Sequence, residues 1–146
     1  MPLFTVSRPR SALSTANDTL TITASATKPL RIIMAKLAGA DAAAAANVVV
    51  LQRSTGGTTP GGPITPEKVN PGSAAASFTV ATSWAAQPTL AGGPLHRFVP
   101  NANGGIDPFV AVPGGEFSVP VGGQVSIRSE FGTSNVVPNL LIEEVD

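Results

Sequence analysis

Strict alternation of polar and apolar side chains marks the stretch Thr19-Leu20-Thr21-Ile22-Thr23-Ala24. A period of two places alternate side chains on opposite faces of an extended chain, so this stretch predicts a strand with one buried and one wetted face. Residues 30–37 and 48–53 are richer in apolar side chains and predict strands near the middle of a sheet. Further strands are expected at 78–80, 95–99, 117–121, 125–131 and 136–145.

Glycine and proline separate these predicted strands. The 15 Gly and 14 Pro fall mainly between the apolar runs, which is the pattern of strands joined by turns. Short strands at this spacing predict an all-β fold, an antiparallel sandwich or barrel of about eight strands with little helix. Pro120 and Pro138 lack the N–H that a sheet ladder uses, so they are expected at edges, at bulges, or where a strand bends between sheets.

The length of 146 residues fits one domain, spanning residues 1–146. Within it we expect an N-terminal arm at 1–17 and a long Gly/Pro-rich loop at 54–75. Long loops in compact domains are usually functional or disordered, so we predict that residues 54–70 are exposed and contact a neighbouring molecule. The alanine-rich residues 40–46 are the one helical signal, and we expect a tight loop there because so short a helix is marginal.

Charge is scarce and balanced in this chain. Lys and Arg number 9, as do Asp and Glu, and charged residues make up 12% of the sequence, against about 25% in an ordinary soluble domain. Low charge gives weak protection against association, so part of the surface is expected to be covered by partners or by copies of the chain. Apart from Arg8 and Arg10 the basic residues are scattered, which argues against nucleic-acid binding.

Membrane association and secretion are also not expected. No apolar stretch approaches the 18 or so residues that cross a bilayer. The opening residues 1–10 lack the basic-then-apolar order of a signal peptide. The chain is therefore predicted to be made in the cytosol, and with no Cys it has neither disulfides nor thiolate metal ligands.

Residues suited to catalysis are few. His96 is the one His, no Ser lies in a Gly-x-Ser-x-Gly elbow, and we expect His96 to be a half-exposed strand residue. Glu143 and Glu144 are adjacent, so on a strand they point to opposite faces and are expected to be solubilising residues. Asp41, Asp107 and Glu116 are isolated in sequence, and no Gly-Gly pair precedes the Lys-Ser or Lys-Thr of a phosphate loop. We therefore predict no catalytic residue, no metal and no cofactor.

A protein without an active site acts through its surfaces, and a few residues stand out as candidates for contact. Trp84 is either core or an interface anchor, because Trp is enriched at binding hot spots. The six Phe mostly occupy strand-like positions and are expected in the core, although Phe4 lies in the N-terminal arm and is also a contact candidate. The complete set of interface candidates is Phe4, Arg8, Arg10, Pro60, Pro63, Pro66 and Trp84.

The order of segments from about residue 18 to the end resembles that of a known family. The segments are a strand at 28–32, a small-residue loop at 39–47, a strand at 48–53, a linker at 65–71, an alanine-rich stretch at 73–77, and segments 95–100 and 140–144. This arrangement is similar to that of small jelly-roll virion proteins of tailed bacteriophages, known as head decoration, cement or auxiliary proteins. The resemblance implies a jelly-roll fold, homo-oligomerisation and a position on the virion.

The composition and the resemblance together predict a non-enzymatic structural protein. We expect it to lie on the capsid surface, to bind the major capsid protein and to stabilise the shell. We also expect it to associate with itself, most simply as a trimer at the local threefold positions of an icosahedral lattice. The alternative is a jelly-roll binding module of a tail or fibre, such as a carbohydrate-binding one, and a hydrolase using His96 is the weakest reading.

Overall fold

The computed structural model describes all 146 residues and contains strands but no helix, hence no helix of the length and apolarity needed to cross a bilayer. In chain order the strands are β1 (Leu3–Ser7), β2 (Ser11–Ala12), β3 (Asp18–Thr23), β4 (Leu30–Gly39), β5 (Val48–Thr55), β6 (Thr58–Gly61), β7 (Glu67–Lys68), β8 (Thr79–Ala81), β9 (Ser83–Ala86), β10 (Thr89–Leu90), β11 (His96–Phe98), β12 (Ile106–Val110), β13 (Phe117–Val119), β14 (Gln124–Phe131) and β15 (Asn135–Glu144).

Two antiparallel sheets contain all the strands except β6 and β9. The first sheet has the order β12–β4–β15–β1–β7, with β13 also beside β4 and β2 also beside β15. The second sheet has the order β10–β5–β14–β3–β8, with β11 also beside β5. The remaining strands, β6 and β9, pair with each other as a two-stranded ribbon.

The strand order is that of a jelly roll. Without the short flanking strands β7 and β8, the two sheets read β12/β13–β4–β15–β1 and β10/β11–β5–β14–β3. Neighbouring strands in each sheet are far apart in the chain. The exception is β5 with β10 and β11, which follow one another once the strands between them, β6 to β9, are set aside. Such an order consists of two Greek keys folded together. The prediction of an all-β antiparallel sandwich of jelly-roll type with little helix is confirmed.

The hydrophobic core lies between the two sheets, and strand β15 shows how the sequence forms it. Val136, Leu140 and Ile142 are buried and belong to one cluster of 21 buried apolar side chains. Val137 and Leu141 lie between them in sequence, are half-buried and point to the outer face. Alternation with period two therefore sorts the side chains of this strand as it does for β3 and β14.

All eight predicted strand segments overlap observed strands, but two segments expected outside the sheets contain strands as well. Residues 1–17, expected to be an N-terminal arm, contain β1 and β2, which pair with β15 in the first sheet. Residues 54–75, expected to be a loop, contain the end of β5 together with β6 and β7. Backbone groups of both segments are paired in ladders, because an unpaired buried N–H or C=O is costly.

The prolines of the C-terminal strands occupy different places from those expected. Pro138 lies inside β15, a central strand, opposite the gap between β1 and β2, where its carbonyl accepts a hydrogen bond from Arg8 N–H at 3.2 Å. Pro138 accepts from Arg8 but has no N–H to donate in return, and the ladder between β1 and β15 ends at Ser7 and Asn139. Pro120 follows β13 in a turn. The proline that does lie on an edge strand is Pro108 of β12, a strand that the sequence patterns did not predict.

Glu144 was expected to be a solubilising residue at the surface, and this prediction is wrong. Its side chain is 2% exposed at the end of β15. The Oε2 atom accepts hydrogen bonds from the backbone N–H of Ser77 at 2.9 Å and from the Ser77 hydroxyl at 2.6 Å. Lys28 Nζ lies 3.7 Å from Oε1. Glu144 thus closes one end of the sandwich by holding the segment that leads into β8.

The alanine-rich loop at 40–46 contains no helix, as expected. The strand before it, β4, ends at Gly39, which is closely packed against the backbone of another segment. A Cβ on Gly39 would overlap the carbonyl oxygen of Asn101 and lie 2.6 Å from backbone atoms of Ala102. We therefore expect Gly39→Ala to lower the free energy of unfolding by about 1–3 kcal/mol, measured by urea denaturation. Gly93→Ala is the control, because nothing lies within 4 Å of its Cβ. Equal losses of unfolding free energy for the two variants would contradict the close packing of Gly39 against residues 101 and 102.

Candidate interaction surface

The outer face of the second sheet is polar and is covered by the protein's own chain. Thr21 on β3, Gln52 on β5 and Ser126 on β14 share this face, because they are paired in register across the three strands. Ile127, the neighbour of Ser126, points the other way into the core. Thr21 and Ser126 are fully buried although they point away from the core, so a further layer of chain must lie above them.

Asp18 is the centre of the polar cluster on this face. Its Oδ1 accepts a hydrogen bond from Arg128 Nε at 2.7 Å and lies 2.6 Å from Arg128 Nη2. Its Oδ2 accepts hydrogen bonds from the hydroxyls of Thr21, at 2.5 Å, and Ser126. The Asp18 side chain is fully buried and that of Arg128 is 13% exposed. Both carboxylate oxygens are therefore satisfied away from water, which is the condition for keeping a buried charge.

Residues 82–88, which we name the covering segment, lie over this cluster. Trp84 on β9 donates from Nε1 to the Thr21 hydroxyl at 3.0 Å. The Gln87 side-chain oxygen accepts a hydrogen bond from the backbone N–H of Asp18 at 2.9 Å. These polar contacts fix the covering segment to the sheet, so this outer face is occupied within the molecule.

The outer face of the first sheet carries no such layer. Three rows of three side chains point outward from β12, β4 and β15, because residues opposite each other in register share a face. Seven of the nine are apolar, and those on β12 are exposed, including Ile106 at 63% and Val110 at 64%. We name this surface the open face; its rows are Ile106–Ala38–Val137, Pro108–Lys36–Asn139 and Val110–Met34–Leu141.

The free edge of the open face is closed to strand addition. In an antiparallel pair every second residue directs its backbone N–H and C=O toward the neighbouring strand. In and around β12 these are the odd-numbered residues, because Gly105 C=O accepts from Gly39 N–H and Ala111 N–H donates to Ile33 C=O. Pro108, an even-numbered residue, therefore faces the free edge, where it offers no N–H. A proline at that position blocks pairing with a further strand. Contacts at this surface are consequently made by its side chains.

His96 lies at the rim of the sandwich among aromatic rings. Its ring centroid is 4.6 Å from that of Phe98 and 5.4 Å from that of Phe109, and Phe109 stacks on Phe117 at 4.3 Å. The side chain is partly exposed, as expected, but its Nε2 atom is buried and has no hydrogen-bond partner. The residue therefore packs as part of an aromatic cluster.

Phe4 was predicted as a contact residue, and the structure contradicts this. Its side chain is 0% exposed on β1, and its ring meets that of Phe78 edge-on with centroids 5.5 Å apart. The sequence prediction of 1–17 as an arm made Phe4 available to a partner. Because β1 is a strand of the first sheet, alternation instead directs Phe4 into the core.

Arg8 and Arg10 lie near each other in the chain but serve different contacts. Arg8 is half-buried, donates to the carbonyl of Thr19, and has its pKa lowered by burial. Arg10 is exposed and pairs with Asp41 at 3.1 Å. Hydrogen bonds from Asn135, with the Arg10 pair adding to them, hold the pKa of Asp41 below its usual value. Both arginines are thus engaged within the chain and form no joint basic patch.

The prolines of the 54–75 segment and Trp84 lie around the β6–β9 ribbon and the strand beyond it. Pro60 on β6 is exposed and stands opposite Trp84 in register. Pro63 is exposed and Pro66, beside β7, is half-buried. Trp84 is half-buried and lies on the outer face of the second sheet, so it is not part of the core; its role as an interface anchor stays a prediction. None of these residues is part of the open face.

No group of three His, Asp or Glu side chains lies close enough together to hold a metal ion. No protein family model, no curated protein and no solved structure matches the chain. The features that distinguish this molecule are the two outer faces of its sandwich, one covered by its own chain and one open.

The open face was not predicted from the sequence. Its members come from three segments, 34–38, 106–110 and 137–141, and only the strand order brings them together. The segment 106–110 is Ile-Asp-Pro-Phe-Val, in which only Asp107 is polar, so no alternation of polar and apolar residues marks it as a strand. The proline and the aspartate in that segment are also depleted in strands.

Proposed function

We propose that the protein is a non-enzymatic structural component of a tailed-bacteriophage virion, which decorates the capsid shell by binding the major capsid protein and reinforces it. The observation that carries the proposal is the contrast between the two outer faces of the sandwich. One is sealed by the covering segment, whereas the open face leaves seven apolar side chains without a layer above them. Contiguous exposed apolar patches are typical of sites that bind another macromolecule.

The class of partner comes from the resemblance of the segment order to phage head decoration proteins. The jelly-roll strand order agrees with that resemblance, although many unrelated functions use this fold. A charge fraction of 12% suits a protein that works within an assembly, because its surface offers little long-range repulsion. A trimer at a local threefold axis would link three shell contacts, and such avidity multiplies the affinity of one contact by about 10² or more.

The alternative function as a carbohydrate-binding module of a tail or fibre has less support. Sugar sites commonly present aromatic rings in a groove. Trp84, the one Trp, donates its Nε1 hydrogen to Thr21 and lies between the ribbon and the sheet. Among the Phe side chains Phe131 is the most exposed, at 62%, and it lies at the end of β14. We therefore favour binding through the open face.

Co-sedimentation with empty shells of the phage's major capsid protein tests the proposal. We expect the wild-type chain to bind saturably at micromolar concentration and to raise the temperature at which the shells break. Affinity should change little between low and moderate salt, because most of the contact is apolar. A wild-type chain that stays in the supernatant, or that binds only to tails, would overturn the proposal.

Val110→Asp is the matching variant, because it places a charge on the open face. We expect it to weaken binding to shells by about tenfold or more, since an unpaired charge would be buried on docking. Val121→Asp is the control: Val121 is also exposed, at 51%, but lies in the turn between β13 and β14. Equal binding by both variants would place the contact elsewhere on the molecule.

A further inference from the structure

Lys36 stands at the centre of the open face without a partner of its own. It occupies the middle of the three rows and the middle of the three strands, with Pro108 on one side and Asn139 on the other. It takes part in none of the six ion pairs of the molecule. The open face therefore presents one positive charge surrounded by apolar side chains.

The acids nearest along this sheet do not serve Lys36. Glu143, further along β15 on the same outer face, pairs with Arg31 at 3.4 Å. Glu67 lies at the far edge of the sheet, in the row that runs from Leu141 through Thr5. A surface that docks over the open face therefore finds the ammonium group uncompensated by its own chain.

Docking over the open face would remove Lys36 from water. Lys36 lies in the row between Pro108 and Asn139, so a partner that covers this row covers the lysine side chain as well. Burying an unpaired ammonium group is costly, so a stable partner must supply an acceptor at that point. A carboxylate is the acceptor that matches both the charge and the hydrogen-bonding capacity of lysine.

A second copy of the chain does not meet this requirement. Two copies stacked face to face about a twofold axis through the middle of the open face would bring their Lys36 ammonium groups together. Joining two copies edge to edge through β12 is blocked by Pro108. Neither of these two symmetric arrangements supplies a carboxylate to Lys36, which favours a different protein as the partner of the open face.

We infer that the open face docks on a surface of a different protein in which a carboxylate, ringed by apolar side chains, stands opposite Lys36. The inference rests on the proposed function, in which that protein is the major capsid protein. The inference adds two details to the proposed function: the chemistry of the shell surface that is recognised, and a contact made by side chains. The apolar ring supplies the contact area, and the single ion pair fixes the register of docking.

Lysine footprinting on shells tests this directly, because the chain has only three lysines, at 28, 36 and 68. The free and the shell-bound protein are acetylated and the modified sites are quantified by mass spectrometry. We expect the reactivity of Lys36 to fall by about tenfold or more on binding, as for a group at the dry centre of an interface, and that of Lys68 to stay unchanged. A carbodiimide, which joins an amine to a carboxylate in contact with it, should link Lys36 to an acid of the capsid protein.

Two substitutions complete the test. Lys36→Met leaves the partner carboxylate unpaired and is expected to weaken shell binding by about tenfold or more, whereas Lys36→Arg should keep it within a few-fold. Tight binding by Lys36→Met, or full reactivity of Lys36 on the shell, would overturn the inference and leave the proposed function standing. Protection of Lys36 in the free protein that grows with concentration would also overturn it, in favour of self-association. Failure of the wild-type chain to bind shells would overturn both.

Discussion

Replacing Asp18 with Ala is expected to lower the free energy of unfolding by about 3–5 kcal/mol, because it leaves the Arg128 guanidinium buried without its counter-charge. The side chain of Arg128 is only 13% exposed, so water cannot take the place of the carboxylate. The hydroxyls of Thr21 and Ser126 lose their acceptor at the same time. Chemical denaturation followed by Trp84 fluorescence measures the loss and reports on the covering segment as well.

Glu130→Ala is the matched control for this prediction. Glu130 also pairs with an arginine, Arg97, at 3.0 Å, but the two side chains are 48% and 55% exposed. An exposed pair contributes little to stability, since solvent screens both charges. The double variant Asp18→Leu with Arg128→Met should recover much of the loss, because it removes both buried charges together. Losses of similar size for Asp18→Ala and Glu130→Ala would contradict the role given to burial.

The pattern of the sequence was sufficient to predict the long strands of the fold. In β3 strict alternation separates core residues such as Leu20 from outward ones, and in β15 a run of apolar residues around Leu140 indicates a strand; both signals are local. Segment β12 lacked such a signal because Pro108 is unfavourable in a strand and Asp107 points inward. The carboxylate of Asp107 accepts the backbone N–H of Val99 at 2.6 Å, a contact made only after the chain has folded.

The buried charges could not have been predicted, because their partners are distant in sequence. Asp18 and Arg128 are 110 positions apart, and Glu144 and Ser77 are 67 apart. Read alone, each charged residue is expected at the surface, where such residues are usually found. The open face depends on the same long-range information, since its three strands become neighbours only in the jelly-roll order.

The two outer faces of the sandwich show how one chain can both seal and expose a sheet. The second sheet carries small hydroxyl and amide side chains: the Thr21 hydroxyl accepts a hydrogen bond from Trp84 of the covering segment, and the Gln52 amide donates to the carbonyl of Gly92. The open face carries aliphatic side chains, which have no hydrogen bonds to offer a covering strand. The open face is therefore suited to a partner that has apolar groups of its own, together with one group that pairs with the charge of Lys36.

Phe4→Ala is expected to lower the free energy of unfolding by about 3–5 kcal/mol, because truncating a fully buried ring removes its packing and leaves a cavity. Phe4 is 0% exposed and its ring meets Phe78 across the core, so the cavity would open between the two sheets. In a domain of this size such a loss corresponds to a fall in melting temperature of about 10 °C. Differential scanning calorimetry and urea denaturation measure the two quantities.

Phe131→Ala provides the comparison, because Phe131 is also at the end region of a strand but is 62% exposed. Its truncation should change the free energy of unfolding by no more than about 0.5 kcal/mol, since little is buried with it. The pair separates the two roles that the sequence allowed for Phe4, core residue or contact residue. If Phe4→Ala kept its stability and lost binding to shells, Phe4 would be a contact residue and β1 would have to leave the sheet to expose it. The hydrogen-bonded register of β1 against β15, which runs over all five residues of β1, makes the loss of stability the expected result.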